Sequence, residues 1–186
     1  GYRVDGGIAP IRETTAAVLL QEMMWRRKTP LHDPFCGSGT IAIEATLYAF
    51  NVAPGFGRRF AIENLPFYNE KLANEIKQKE AELIRTDVEV RITGSDIDDK
   101  AVARAKQNAE YACVMAGRAL KSIGISKHIQ RPDFVQSDFQ DLAAPYDEGL
   151  ILCNPPYGER LGDEEQAHEL YRNMNSLWND FPNWDM

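Results

Sequence analysis

Leu31-His32-Asp33-Pro34-Phe35-Cys36-Gly37-Ser38-Gly39-Thr40-Ile41-Ala42-Ile43-Glu44-Ala45-Thr46-Leu47-Tyr48 is the stretch whose reading decides the fold. Leu31–Asp33 reads as a short strand that ends at Pro34. Phe35–Thr40 follows as a glycine turn, and Ile41–Tyr48 continues as a helix. A strand, a glycine turn and a helix in succession make half of a βαβ unit.

The flanks extend the alternation. Before it, Ala9-Pro10 opens a helix with proline in its first turn. Apolar Ile11, Val18, Leu19 and Met23 keep helical spacing to Trp25, and Thr29-Pro30 stops it. After it, Asn51–Asn69 is rich in Gly, Pro and aromatics and reads as an irregular excursion. Glu70–Arg85 is helical, with Leu72, Ile76, Leu83 and Ile84 as its apolar stripe. Val88–Asp96 alternates as a strand. Asp98 or Asp99 caps a helix to about Ser122, stopped at Gly124. Asp133–Ser137 is a strand closed by Asp138. Gly149–Cys153 is an apolar run of buried-strand type, and Asp163–Phe181 forms a last helix. Four strands alternating with helices imply an α/β fold with a parallel sheet and right-handed crossovers. The unusual residues all follow strands, at the edge where such sheets bind ligands.

Composition narrows the classes. The chain has 186 residues, 44% hydrophobic and 26% charged, which predicts one soluble globular domain. Apolar runs such as Ala16–Leu20 fall far short of the roughly 20 residues of a membrane span. There is no signal-peptide pattern. The first residue is Gly1, so the chain reads as a piece of something longer. Cys36, Cys113 and Cys153 are too scattered for a disulfide framework and point to a reducing, cytoplasmic compartment. His32, His128 and His168 are equally scattered, so no metal site is expected. Net charge is −7, unevenly spread: residues 1–131 carry 19 basic and 16 acidic residues, and residues 132–186 carry 2 and 12. Nucleic-acid binding draws most of its affinity from phosphate neutralisation. An RNA grip, if the substrate is RNA, is therefore expected from another domain. Arg26-Arg27-Lys28 and Arg58-Arg59 are the local basic footprint, or else ordinary solvated charges.

Four pieces carry chemistry. Gly37 and Gly39 let backbone approach a ligand, and the following helix offers unpaired N–H groups to a carboxylate or phosphate. The segment lacks a third glycine for a dinucleotide fingerprint, since residue 42 is Ala, and lacks the Lys-Ser/Thr of a P-loop. Asp96, at a strand end, suits both hydroxyls of a ribose. Asp138 suits an adenine amino group. Each of these alone is equally well a turn former or cap. The fourth piece is sharper. In Asn154-Pro155-Pro156-Tyr157 two prolines fix φ, and Pro155 keeps Asn154 out of helical angles. The stiff corner would hold the Asn154 amide oxygen and a main-chain carbonyl as two coplanar acceptors beside the flat face of Tyr157. That arrangement suits an exocyclic NH₂ on a planar base: both hydrogens are accepted and the nitrogen lone pair is freed.

Asp33–Thr40, Gly94-Ser95-Asp96 and Asn154-Pro155-Pro156-Tyr157-Gly158-Glu159-Arg160-Leu161-Gly162 together resemble class I S-adenosylmethionine-dependent methyltransferases. More closely, the chain resembles the bacterial 23S rRNA guanine-N2 methyltransferase group, often labelled N6-adenine-specific DNA methylases. Gly1-Tyr2-Arg3, Ala9–Thr14 and Asn51–Phe60 match as well, so the resemblance covers nearly the whole chain. It implies a Rossmann-like, mostly parallel sheet, truncated here after the fourth strand and its helix because family members run three more strands. It implies S-adenosylmethionine as cofactor, held by Asp33, Phe35, Cys36, Gly37, Ser38, Gly39, Thr40, Asp96, Ile97, Asp138 and Phe139. It implies that Asn154, Pro155, Pro156 and Tyr157 handle the target amine. It also implies an RNA substrate, gripped by an N-terminal module of THUMP type that would precede Gly1. The one departure is the helix that Asp98 or Asp99 caps: the family breaks it shortly after a segment like Ala105–Ala109, and here extra turns add about 11 residues, close to three turns.

The expected reaction is methyl transfer to a base amine in RNA, most specifically guanine N2 of 23S rRNA. Rival readings place the same residues on adenine in DNA or RNA, or on a glutamine side chain of a protein. A different class of reading is a non-catalytic module that binds cofactor or RNA. A nicotinamide dehydrogenase is disfavoured by the missing third glycine and by the rigid proline corner.

Overall fold

A computed structural model describes residues 2, 10–157 and 164–186. The sequence readings on Gly1, Arg3 and Ala9, on Gly158–Gly162 and on Asp163 lie outside the described residues. The elements in order are α1 (Glu13–Glu22), β1 (Leu31–Asp33), α2 (Thr40–Ala49), α3 (Glu70–Glu82), β2 (Ile92–Asp96), α4 (Asp99–Ser122), β3 (Asp133–Gln136), β4 (Gly149–Ile151), α5 (Glu164–Asn173), α6 (Ser176–Asp180) and β5 (Trp184–Asp185). The strands form one sheet in the order β3-β2-β1-β4-β5, and every pair is parallel. Chain order reverses between β1 and β4. That is the switch point where open α/β sheets hold ligands, outside the carboxyl ends of the strands.

Local chemistry accounts for the central elements. Asp98 caps α4 by accepting from the Lys100 N–H at 2.9 Å. Ala105, Ala109, Ala112, Ala116 and Leu120 then keep one face of α4 buried along its whole length. The extra turns therefore continue the same apolar stripe. β1 has no exposed face, and its His32 bonds across to β2 at both ring nitrogens: Thr93 Oγ1 at 2.7 Å and Ser95 Oγ at 3.1 Å.

The structure corrects four readings. Val88 and Val90 are buried, as the alternation required, but the ladder begins only at Ile92. The neighbouring strands β1 and β3 are three and four residues long and offer nothing further to pair with. On α3, Leu72, Ile76 and Leu83 stay exposed, and only Ala81 and Ile84 enter the core. That helix is held by its C-terminus, where Lys127 Nζ donates to the carbonyls of Ala81, Glu82 and Ile84. The expected helix over 163–181 is two helices, α5 and α6, parted at Met174–Asn175.

The fourth correction is β5, in a tail that carries no alternating pattern. The sheet does not stop at β4: Trp184 pairs with Gly149 and Asp185 with Leu150. Gly149 makes this possible, because a Cβ there would lie 2.6 Å from the Trp184 ring. Trp184, Phe181, Leu177, Ile151 and Phe139 form a second core cluster beside the main one. Gly149→Ala is expected to push the ring out of this cluster and cost about 1–3 kcal/mol of stability. Denaturant unfolding followed by tryptophan fluorescence reads both the loss and the ring's displacement.

Arg27 leaves the basic footprint. Its guanidinium lies 4.9 Å over the Tyr48 ring and donates to the Tyr48 carbonyl and the Asn51 amide oxygen. Arg59 pairs with Glu63, and Arg58 stacks over Phe60. Among the described residues, no helix is long and apolar enough to cross a membrane.

Candidate active site

The glycine turn is built by left-handed backbone. Gly37 has φ 52° and Gly39 φ 81°, conformations that a side chain disfavours. Gly39 also sits tight: a Cβ there would meet the Phe134 ring at 2.8 Å and Ala105 Cβ at 3.0 Å. A Cβ on Gly37 would meet nothing within 4 Å, so the turn is open on that side. Cys36, Ser38 and Thr40 are buried.

The end of β2 joins this turn directly. The Asp96 carboxylate accepts from the Gly37 N–H at 2.9 Å and from the Asp98 N–H at 3.0 Å. Two oxygens offer about four acceptor positions, so lone pairs remain for a diol. Ile97 beside it is 67% exposed, an apolar side chain at the same sheet edge. From β3, the Ser137 N–H donates to the Asp96 carbonyl at 3.1 Å. Asp138 accepts from the Gln140 N–H and opens a short 3₁₀ turn over Phe139–Asp141. The buried Phe139 ring packs on Phe35 with centroids 5.1 Å apart. All eleven residues read as cofactor-binding thus stand at one sheet edge.

The proline corner stands at the same edge. The Leu152 N–H donates to the His32 carbonyl at 3.1 Å, which aligns the end of β4 with the end of β1. Cys153, next to the corner, lies close enough to Asp33 that burial and the Asp33 charge push its thiol up to about 12. Asn154, Pro155 and Pro156 are half-buried and Tyr157 is exposed. The corner and the glycine turn therefore flank the switch point.

Two residues that the sequence did not single out reach this neighbourhood. Asn108 is 1% exposed and donates its amide N–H to the Ser38 carbonyl at 3.0 Å, clamping the turn from α4. The available signal was a polar residue on the buried Ala101-Ala105-Ala109-Ala112 face of α4. Tyr171, on α5, donates its hydroxyl to the Pro156 carbonyl at 3.4 Å.

Asp33 and His32 give the site a pH signature. Burial pushes the Asp33 carboxyl up to about 8 from its ordinary 3.8, against the Phe35 N–H, which lowers it. Burial pushes His32 down to about 4 from 6.5. Between pH 4 and 6.5 the two oppose each other. The folded state keeps an Asp33 proton that the unfolded chain has lost, and refuses a His32 proton that the unfolded chain takes. Above 6.5 Asp33 acts alone, so stability falls as pH rises to about 8, by roughly 2 kcal/mol. Asp33→Asn is expected to flatten that window, as thermal melting at pH 6.5 and 8 would read.

Comparison with known proteins bears on the family and the fold. Residues 1–181 match a family model described as UPF0020, RMKL-like, methyltransferase domain. The chain is 40% identical over its whole length to the Bacillus subtilis (strain 168) protein named "Putative RNA methyltransferase YpsC", of which it covers 45%. It is 36% identical over 192 residues to ribosomal RNA large subunit methyltransferase K/L of Shewanella pealeana (strain ATCC 700345 / ANG-SQ1), covering 100% of this chain and 25% of that protein. The solved structure described as "Crystal structure of SMU.472, a putative methyltransferase complexed with SAH" superposes with a TM-score of 0.82 at 33% identity, over 99% of this chain and 44% of that one. The chain thus spans less than half the length of the curated relatives it matches. With the fold and a family model spanning all but its last five residues, the chain belongs to the RMKL-like methyltransferase domain family.

Proposed function

We propose that this chain is the catalytic domain of an RNA methyltransferase that uses S-adenosylmethionine to methylate the exocyclic amine of a base, guanine N2 of 23S rRNA. The observation that carries the reading is the Asn154–Tyr157 corner beside the glycine turn across the β1/β4 switch point. The residues present fit the cofactor: an open face at Gly37, a carboxylate fixed at Asp96 by two N–H donors, and an exposed apolar side chain at Ile97. In this reading Asp96 accepts the ribose hydroxyls, Ile97 covers a face of the adenine, and Asp138 accepts from its amino group, with the Phe139 backbone beside the ring. The unpaired N–H groups at the start of α2 meet the amino-acid end.

S-adenosylmethionine supplies a methyl group already activated on a sulfonium centre. The protein's task is to present the amine. The Asn154 amide oxygen and the Pro155 carbonyl accept its two hydrogens, and the nitrogen lone pair turns out of the ring plane. Pro155 and Pro156 hold both acceptors still, and Tyr157 stacks on the base. A base in structured RNA has to leave its stack to reach such a corner. Positioning of this kind supplies roughly 7–11 kcal/mol of a barrier. No side chain at the corner is assigned as a general base.

The acidic C-terminal third of the chain supports an RNA grip located elsewhere, in an N-terminal module of the whole protein. Cysteines that stay free suit the cytoplasm, where ribosomal RNA is assembled. The test is methyl transfer from labelled S-adenosylmethionine to unmodified ribosomal RNA by the full-length protein, with the modified base mapped. Label on guanine N2 is expected. Label on adenine N6, on DNA or on a protein glutamine would select one of the rival substrates. Cofactor binding without transfer to any of them would make the chain a non-catalytic module.

A further inference from the structure

The proline corner is stiff in all but one of its proline torsions. The rings of Pro155 and Pro156 fix φ, and Pro156 restricts the ψ of Pro155 before it, but the ψ of Pro156 is left free, and neither residue has an N–H with which to anchor itself. The ψ of Pro156 decides where its carbonyl points. It also sets the plane of the next peptide, and with it the place of the Tyr157 ring. An outside donor reaches that carbonyl: the Tyr171 hydroxyl, at 3.4 Å. Tyr171 is in turn held in place. Its neighbour Leu170 packs on the second core cluster, as do Phe35 of the glycine turn, Phe139 after β3 and Cys153 immediately before Asn154. The helix that carries Tyr171 is therefore fixed to the same apolar cluster as the crevice and the corner. Tyr171 is itself 46% exposed, so its ring contributes little to the core.

We propose that Tyr171 is a positioning residue: through the Pro156 carbonyl it sets the peptide between Pro156 and Tyr157 and so places the Tyr157 ring against the target base. This rests on the methyltransferase reading above. The bond is long for O–H···O, which suits a corner that tightens only around substrate. In this proposal the hydroxyl acts through Tyr157, which separates its role from a structural one.

A double-mutant cycle in the full-length protein tests it. Single-turnover transfer to unmodified ribosomal RNA is measured at saturating cofactor for wild type, Tyr171→Phe, Tyr157→Ala and the double variant. Tyr171→Phe is expected to lower the rate constant roughly fivefold, the weight of one hydrogen bond. Its dissociation constant for S-adenosylhomocysteine and its melting temperature should match wild type. In the Tyr157→Ala background the same substitution should cost nothing more. A Tyr171→Phe rate within about twofold of wild type would overturn the inference, as would a full additive loss in the double variant. A wild-type protein that transfers no methyl group to RNA, DNA or protein would overturn the methyltransferase reading and this inference together. An active wild type with an unaffected Tyr171→Phe variant would overturn the inference alone.

Discussion

Asn154→Ala is expected to lower methyl transfer by roughly a thousandfold while leaving the affinity for S-adenosylhomocysteine within about twofold of wild type. The asymmetry follows from where the residue stands. Asn154 is half-buried at the end of β4, on the opposite flank of the switch point from the turn and Asp96. It touches the target amine in this reading and bears none of the cofactor's weight. Loss of its amide oxygen removes one of two acceptors that strengthen as the nitrogen becomes more positive during transfer. An interaction realised mainly in the transition state lowers the chemical rate and spares ground-state binding. The prolines keep the backbone of the corner in place, so the variant should fold. Transfer from labelled cofactor reads the first half of the prediction and titration calorimetry the second. Equal loss in both would move Asn154 to the cofactor side.

Asp96→Asn is expected to do the opposite, weakening the cofactor roughly a hundredfold. The substitution keeps the size of the side chain but removes its charge and one acceptor. Asp96 already accepts from Gly37 and Asp98, and one of these bonds must weaken when a carboxylate oxygen becomes an NH₂. The Gly37 contact is the tie between β2 and the glycine turn, so the crevice would lose both its diol partner and its brace. Hydrogen bonds to a charged group are worth about 1.5–3 kcal/mol, and 1.4 kcal/mol is tenfold in affinity. At saturating cofactor the transfer rate should recover most of its wild-type value, unlike that of Asn154→Ala. An affinity within about threefold of wild type would mean that the ribose lies elsewhere.

The residues that could be read in advance are those whose roles are local. Gly37 and Gly39 announce a left-handed turn, Asp98 announces a helix cap, and Asn154-Pro155-Pro156-Tyr157 announces a rigid corner, each within a few residues of chain. Their convergence followed from one further rule, that strands alternating with helices make a parallel sheet whose unusual residues gather at one edge. What escaped was long-range. β5 depends on a missing side chain at Gly149 that admits Trp184, 35 positions later. The start of β2 was set by the lengths of its partner strands, and alternation through Val88 and Val90 reports burial without reporting pairing. The exposure of Leu72 and Ile76 depends on α3 being held at one end by Lys127, 45 residues beyond Glu82. Asn108 and Tyr171 reach the site from helices whose own pattern shows only an amphipathic face.

The account stands or falls on whether the glycine turn and the proline corner serve one ligand. The most direct measurement is a crystal structure of the full-length protein with S-adenosylhomocysteine bound. The predicted result has the ribose hydroxyls on Asp96, the amino-acid end at the start of α2, and the sulfur facing the Asn154 amide oxygen across a gap wide enough for a methyl group and an amine. A nucleoside seated away from Asp96, or an Asn154 side chain turned from the sulfur with no acceptor facing it, would contradict the account.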